Sequence, residues 1–328
     1  MINWITKASA EQRSGRAGRV GEGYCYRLYS SNVYNNFFNE FQTPEIERLP
    51  LESIILILKG MGIDRVINFP FPSQISIEGM KRANESLKTI KLLDEKENIT
   101  EIGKAIKEYP IHPRLGKILY LCREKGIEEI GLTVVAGLSV NDIYRDGNYD
   151  RNVFMSKESD IISLIKMVDT FRMIRHKKEV TMKEYCQGYG IKEQSMEEIL
   201  KLREQLVGIL KQEEIIPKRI ISVEEQVEIR KIIAQSYVDN VARLVRREEM
   251  GKYSKMGLRH AYITATSKEP VIISRRSNMY GQMSEYVIYQ EIIENNYKEM
   301  VGVTKVNYKW LEDVSPEFMK IFDKKSFD

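Results

Sequence analysis

Apolar residues recur at helical spacing through most of this chain and turn to a strand-like rhythm of two only near its C-terminal end. Pro44 and Pro50 suit helix starts. Ile54, Ile55, Leu58 and Met61 then fall on one face, with Gly62 as a stop signal. The run Asn68-Phe69-Pro70-Phe71-Pro72-Ser73 forces extended backbone. A second amphipathic helix follows, with Ile77, Met80, Ala83, Leu87, Ile90 and Leu93 inward. Residues 94–100 form a polar turn, read as a β-wing, and residues 100–108 a third short helix. This order predicts a winged helix over residues 43–107.

Pro110 and Pro113 open a second helical block, whose first stripe is Leu115, Ile118, Leu119 and Cys122, ended by Gly126. Residues 127–140 are almost all apolar, which predicts a buried central helix. Residues 161–174 read as amphipathic, 185–190 as a bend, and 193–214 as a long helix. Residues 108–222 thus predict a helical bundle of ordinary domain size. A further Ile- and Val-rich helix is expected over 223–247, ending in Arg243, Arg246 and Arg247. Past Gly251 the rhythm changes. Four β-rich runs, 261–266, 271–273, 286–293 and 300–304, give four or five short strands and predict a small barrel, an OB-fold, with a closing helix over 307–314 whose Trp310 and Leu311 cap the barrel. This last unit spans residues 223–328. Residues 1–42 are too short for a domain and carry a strand-like run, Tyr24-Cys25-Tyr26-Arg27-Leu28-Tyr29, so they read as the remnant of an α/β domain. The fold class expected is α+β, mainly helical.

Composition adds bounds. The chain has 328 residues, 42% hydrophobic and 30% charged, as globular rather than disordered proteins do. No apolar run approaches the roughly 18 residues of a membrane span, and no secretory signal is visible. Cys25, Cys122 and Cys186 are far apart and do not cluster with His112, His176 or His260, which argues against a disulfide framework or a zinc site and fits a reducing compartment. The net charge is only +4, but it is unevenly spread. Arg243, Arg246, Arg247, Lys252, Lys255, Arg259, Lys268, Arg275 and Arg276 are opposed only by Glu248, Glu249 and Glu269, the footprint expected of a nucleic-acid surface.

The candidate chemistry lies at the other end, in Gln12-Arg13-Ser14-Gly15-Arg16-Ala17-Gly18-Arg19. If the segment is helical, successive arginines stand one turn apart and make a guanidinium ridge. Guanidinium forks match phosphate oxygens and keep their charge. The bland alternative is a solvated basic helix start, but two glycines in eight residues cost helix stability and need a reason. No G-x-x-x-x-G-K-[ST] phosphate loop and no Asp-Glu-Ala-His segment is present.

Residues 8–29 as a whole resemble motif VI of the DEAH-box RNA helicases with its downstream strand. The resemblance continues in Tyr109-Pro110-Ile111-His112-Pro113-Arg114-Leu115-Gly116-Lys117, similar to the opening of that family's ratchet domain. Tyr286-Val287-Ile288-Tyr289-Gln290-Glu291 and residues 303–311 resemble its closing OB segment. It implies a RecA-like remnant, a winged helix, a ratchet bundle and an OB-fold. It also implies that Gln12, Arg16 and Arg19 face the ATP γ-phosphate, the two arginines acting as arginine fingers. ATP and Mg2+ belong to the complete enzyme, with neither held by this chain alone, which is expected to hydrolyse no ATP. The implied RNA contacts are Lys252, Lys255, Arg259, Arg275, Arg276 and Ser277. One departure stands out: where the family usually reads His-Pro-Ser-Ser, this chain reads Ser274-Arg275-Arg276-Ser277. Residues 66–72 and 289–294 look most like the nucleolar member that works on the small-subunit pre-ribosome. That implies single-stranded RNA or a pre-ribosomal RNP as partner, the missing N-terminal helicase half, a glycine-patch activator on the winged helix, no membrane, and a nuclear, nucleolar location. Three alternatives stay open: a non-catalytic RNA-binding or assembly module, a splicing helicase of the same family, and a winged-helix DNA regulator.

Overall fold

The structure, a computed structural model, describes residues 4–41, 50–72, 75–140, 142–147, 149–210, 219–246, 248–249, 260–265, 270–294, 297–314 and 316–323. Residues 4–41 gather around aromatic rings. Helix α1 (Lys7–Ser14) starts at Thr6, whose hydroxyl accepts the Ser9 N–H at 3.2 Å. Ser30 caps α2 (Ser31–Phe37) in the same way. Trp4, Tyr29 and Tyr34 surround Phe38 with centroid separations of 5.9, 4.7 and 5.7 Å. The strand expected over residues 24–29 does not form. Tyr24, Tyr26 and Leu28 are 82%, 86% and 99% exposed, and no strand among the described residues pairs with them. A lone extended segment has no ladder to join, so its apolar side chains stay in water.

Helices α3 (Leu51–Gly60), α4 (Ile77–Thr89) and α5 (Glu101–Ile106) enclose a core of Ile55, Leu56, Leu58, Val66, Met80, Leu87, Ile90 and Leu93. Two side chains expected inward are not: Met61 lies at the C-cap of α3 and Ile77 in the first turn of α4, and both are exposed. Between α4 and α5 the chain makes a tight turn, with the Asp94 carboxylate accepting the Lys96 and Asn98 amides at 2.9 and 2.7 Å. A single bridge, Leu93 to Ile99, joins its two arms.

The bundle comprises α6 (Pro113–Glu124), α7 (Glu128–Leu138), α8 (Asp160–His176), α9 (Met182–Tyr189), α10 (Glu193–Ile209) and α11 (Val223–Ser236). As its pattern predicts, α7 is buried from Ile130 to Gly137. Helix α8 is not amphipathic but buried on most sides. Its polar side chains are neutralised inside the bundle: Asp169 takes bonds from Arg172 and from the Thr133 hydroxyl, both at 3.0 Å, and Glu129 bridges Arg172 and Arg203. The bend expected over 185–190 is the end of a helix. Thr181 and Glu184 form a reciprocal capping box that starts α9, which runs on to Gly190. The helix expected over 193–214 closes at Ile209, and 211–218 lie outside the described residues.

The helix expected over 223–247 ends at Ser236, and residues 241–244 are a strand. Among the described residues seven short strands follow where the pattern predicts four or five: β1 (Val241–Leu244), β2 (Tyr262–Thr264), β3 (Pro270–Ile273), β4 (Tyr286–Ile288), β5 (Glu291–Glu294), β6 (Lys298–Val301) and β7 (Thr304–Val306). Their order is β5-β6-β3-β2-β1-β4-β7, antiparallel throughout except where β3 meets β6. No pairing of β5 with β7 is present among the described residues, so the ring is open at that point. Alternate residues serve two cores. Ala242, Tyr262, Val271, Val287 and Met300 pack within the sheet's own curve, while Val241, Tyr286, Ile288 and Val306 join the bundle core with Ile118, Ile229 and Ile232. Helices α12 (Tyr308–Val314) and α13 (Pro316–Asp323) bring Leu311 and Phe322 to that same core.

One lysine ties the helical trio to the bundle. Lys117 on α6 is 5% exposed and donates to the Ile90 carbonyl at 2.8 Å and the Gln235 carbonyl at 2.7 Å. Those carbonyls close α4 and α11, the ends at which a helix favours a cation. Burial nevertheless lowers the Lys117 ammonium to about 7, with the positive charges of Lys91 and Arg114 acting in the same sense.

Candidate nucleic-acid interface

The arginine motif is not a continuous ridge. Helix α1 stops at Ser14 and Gly15 caps it, so Gln12 and Arg13 are helical while Arg16 and Arg19 sit in the turns that follow. Gln12, Arg16 and Arg19 are all exposed. The glycines have a local reason. Gly18 adopts φ +89°, and a Cβ on Gly23 would stand 2.5 Å from the Gly18 nitrogen. The chain therefore doubles back on itself behind the motif and leaves the arginine side chains facing water.

A cleft of about 700 Å³ opens between the bundle and the sheet. Tyr144, Arg145 and Arg151 line it from the bundle, and Arg275, Arg276 and Gln290 from the sheet. Arg151 is stacked between two rings, 4.6 Å from Tyr144 and 5.3 Å from Tyr149, and donates to the Tyr189 and Gly190 carbonyls at 2.7 and 2.8 Å. The wall is thus braced by a charge that is itself held in place. Arg275 and Arg276 are exposed on the loop after β3. Arg276 reaches Asp146 across the mouth at 3.2 Å, an exposed pair that a phosphate can displace at little cost.

The floor of the cleft is Asp160, the first residue of α8. Its carboxylate accepts the Ser277 hydroxyl at 2.7 Å and the Asn278 and Val303 amides at 2.8 Å each. Burial holds this carboxyl above its usual range, and the three donors pull against that rise.

The sequence-predicted site residues therefore fall in two places. Arg275, Arg276 and Ser277 line the cleft; Gln12, Arg16 and Arg19 do not. Ser277 turns its hydroxyl to Asp160 and accepts the Met279 amide, so it frames the loop. Lys252, Lys255 and Arg259 lie outside the described residues, as do Arg247 and Lys268. Arg243 does not belong to the basic surface. It lies on the same face of β1 as Val241, the face turned to the bundle core, is 1% exposed, and is matched by Glu249 at 2.9 and 3.0 Å. Sequence reasoning missed Tyr144, Arg145 and Arg151, although aromatic and basic residues interleave there over 144–151. It also missed Asp160, whose local signal is only the Ser159 cap before it.

Residues 229–318 match the oligonucleotide/oligosaccharide-binding (OB)-fold family. The human "Probable ATP-dependent RNA helicase DHX37" is 31% identical over 98% of this chain and 31% of its own length. The fission yeast "Pre-mRNA-splicing factor ATP-dependent RNA helicase prp22" is 31% identical over 98% of the chain and 26% of its own length. The budding yeast "Probable ATP-dependent RNA helicase DHR1" is 36% identical over 64% and 20%. The chain belongs to the DEAH-box RNA helicases. It spans about three tenths or less of the length of these relatives. Within this DEAH-box helicase segment, the OB-fold match takes in the second half of α11, every strand of the sheet and α12. It thus contains the Arg275–Arg276 loop and the Val303 amide, whereas Tyr144, Arg145 and Asp160 precede it.

Proposed function

We propose that this chain is the RNA-gripping part of an ATP-dependent DEAH-box RNA helicase that remodels RNA or RNP. The observation that carries the reading is the cleft between bundle and OB-fold, with Arg275 and Arg276 on one wall and Tyr144 and Arg145 on the other. Charge along a groove with aromatic rings beside it is how single strands are held without reading their sequence. In this reading residues 43–107 are the winged helix, 108–222 the ratchet bundle and 223–328 the OB-fold unit. Residues 1–42 are the end of the second RecA-like domain.

Gln12, Arg16 and Arg19 fit the cationic side of a triphosphate site, being exposed donors whose chain folds away behind them. ATP, when bound with Mg2+ in the complete enzyme, supplies the phosphoryl transfer. Gln12 orients the γ-phosphate, and Arg16 and Arg19 neutralise the charge that builds on it. Residues 66–72 and 289–294 support ribosome biogenesis in the nucleolus as the process. The match to a pre-mRNA-splicing factor supports splicing as the second reading. A glycine-patch activator on the winged helix completes the proposal.

Fluorescence anisotropy with a labelled single-stranded RNA, titrated at several salt concentrations, tests the interface. The chain is expected to bind, and Arg275→Ala/Arg276→Ala to weaken binding by about 10- to 100-fold while reducing the salt slope by about 2. Tighter binding to duplex DNA than to RNA, or no effect of the double substitution, would reject it.

A further inference from the structure

The loop that carries Arg275 and Arg276 has no regular structure of its own. It is built from turns: the Ser277 amide donates to the Ser274 carbonyl at 3.0 Å, the Tyr280 amide to the Ser277 carbonyl at 3.1 Å. Such turns fix local shape but not where the loop sits relative to the bundle. Besides the exposed Arg276–Asp146 pair, that placement comes from one part-buried side chain outside the OB-fold, Asp160. Both Asp160 oxygens are used, Oδ1 by the Asn278 amide and Oδ2 by the Ser277 hydroxyl and the Val303 amide. The Asp160 amide in turn donates to the Val303 carbonyl at 2.9 Å, and the neighbouring Ser159 and Thr304 hydroxyls meet at 2.7 Å. Beside Val303, Gly302 adopts φ +64°, and a Cβ there would lie 2.7 Å from the Gln290 Cβ.

We propose that Asp160 is a positioning residue for RNA: its carboxylate, fixed at the start of α8, holds the Arg275–Arg276 loop at the edge of the cleft. The inference rests on the cleft being an RNA site. Chemistry favours a carboxylate here. It is acceptor-only, and it meets three donors, with no cation bonded to it among the described residues. Asparagine at this position keeps the size but turns one oxygen into a donor, so at least one of the Asn278 and Val303 amides loses its acceptor. The loop then gains freedom that RNA binding must remove again, and the two guanidinium groups cease to be preorganised. The arginines remain, but phosphate contacts made by a mobile loop are fewer on average, and fewer counterions are released.

The test compares the 328-residue chain with Asp160→Asn, Arg275→Ala/Arg276→Ala and the triple variant, by anisotropy with single-stranded RNA across a salt series. Asp160→Asn is expected to weaken binding roughly tenfold and to lower the salt slope by about 1. In the triple variant it should add nothing to the arginine substitutions, because its effect passes through them. A chain merely destabilised at α8 would lose thermal stability without that coupling. Parent affinity in Asp160→Asn, or a full additive loss in the triple variant, overturns the inference. Should Asp160→Asn fail to fold, Ser277→Ala removes one of the three donors and carries the same comparison, with parent affinity again decisive against the inference. A parent chain that binds no RNA overturns the proposed function and the inference with it. A parent that binds RNA while Asp160→Asn binds equally well overturns the inference alone.

Discussion

The arginine turn near the N-terminal end and the arginine loop of the cleft carry the same side chain in opposite settings. Arg16 and Arg19 stand on a strap of residues 4–41 whose apolar side chains Tyr24, Tyr26 and Leu28 face water. Arg275 and Arg276 stand on a loop held by a carboxylate from another part of the fold, beside a sheet whose two faces feed two cores. The difference shows what each can do alone. A guanidinium on a braced loop presents a defined surface to a flexible ligand. A guanidinium on a strap that pairs with no strand among the described residues has the same chemistry without a defined surface around it.

The largest effect that could break this contrast is catalytic. In the complete enzyme, Arg16→Ala or Arg19→Ala is expected to lower RNA-stimulated ATP turnover by about 10³-fold or more, measured by steady-state phosphate release. Turnover within tenfold of the parent would leave the turn with no role at the phosphate. The next effect concerns the braced side. Glu249→Ala takes the carboxylate from the buried Arg243 guanidinium and should cost about 3 kcal/mol in urea unfolding, because the remaining charge keeps, among the described residues, only the Leu244 carbonyl. A loss under about 1 kcal/mol would mean that water reaches Arg243.

A pH series sharpens the same side. The ordinary lysine value is 10.5 and the folded Lys117 value about 7, so between them the unfolded chain binds more protons than the folded one. Stability should therefore rise from pH 7 toward 10.5, by up to about 1.4 kcal/mol per unit, and Lys117→Met should flatten the curve. A parent curve that falls over that window would mean the helix-end carbonyls keep the ammonium charged. The smallest effect is expected on the strap: Leu28→Ser, at a side chain 99% exposed, should change stability by no more than about 0.5 kcal/mol. A larger loss would show that the strap already packs against something in solution.

Much of this was legible from spacing alone. The helix pattern found α3, α4, α6, α7 and α10, because each buries a stripe or the whole of its surface. It failed where local pattern and tertiary use part company. Residues 241–244 continue the Ile- and Val-rich composition of α11, and only pairing with β2 and β4 turns them into a strand. The basic count of the chain included Arg243 because sequence cannot show which arginine a carboxylate six residues away will draw inside. Helix α9 carried a readable Thr181–Glu184 signal that its aromatic, glycine-bearing end obscured. The arginine motif could be read from residue order, but its shape could not. Asp160 was beyond reach, since its partners lie 117, 118 and 143 positions away.

Those separations also set an order of assembly. On a ribosome adding roughly 5–20 residues per second, Val303 emerges on the order of ten seconds after Asp160. For most of that interval, until Ser277 and Asn278 follow, α8 can pack against α7 while the Asp160 side chain in its first turn has none of its three donors, and the Ser159 hydroxyl awaits Thr304. Residues 277–304 are what closes this joint. A chain cut short before Ser277 therefore has every described bundle helix and lacks the seam that aligns them with the barrel.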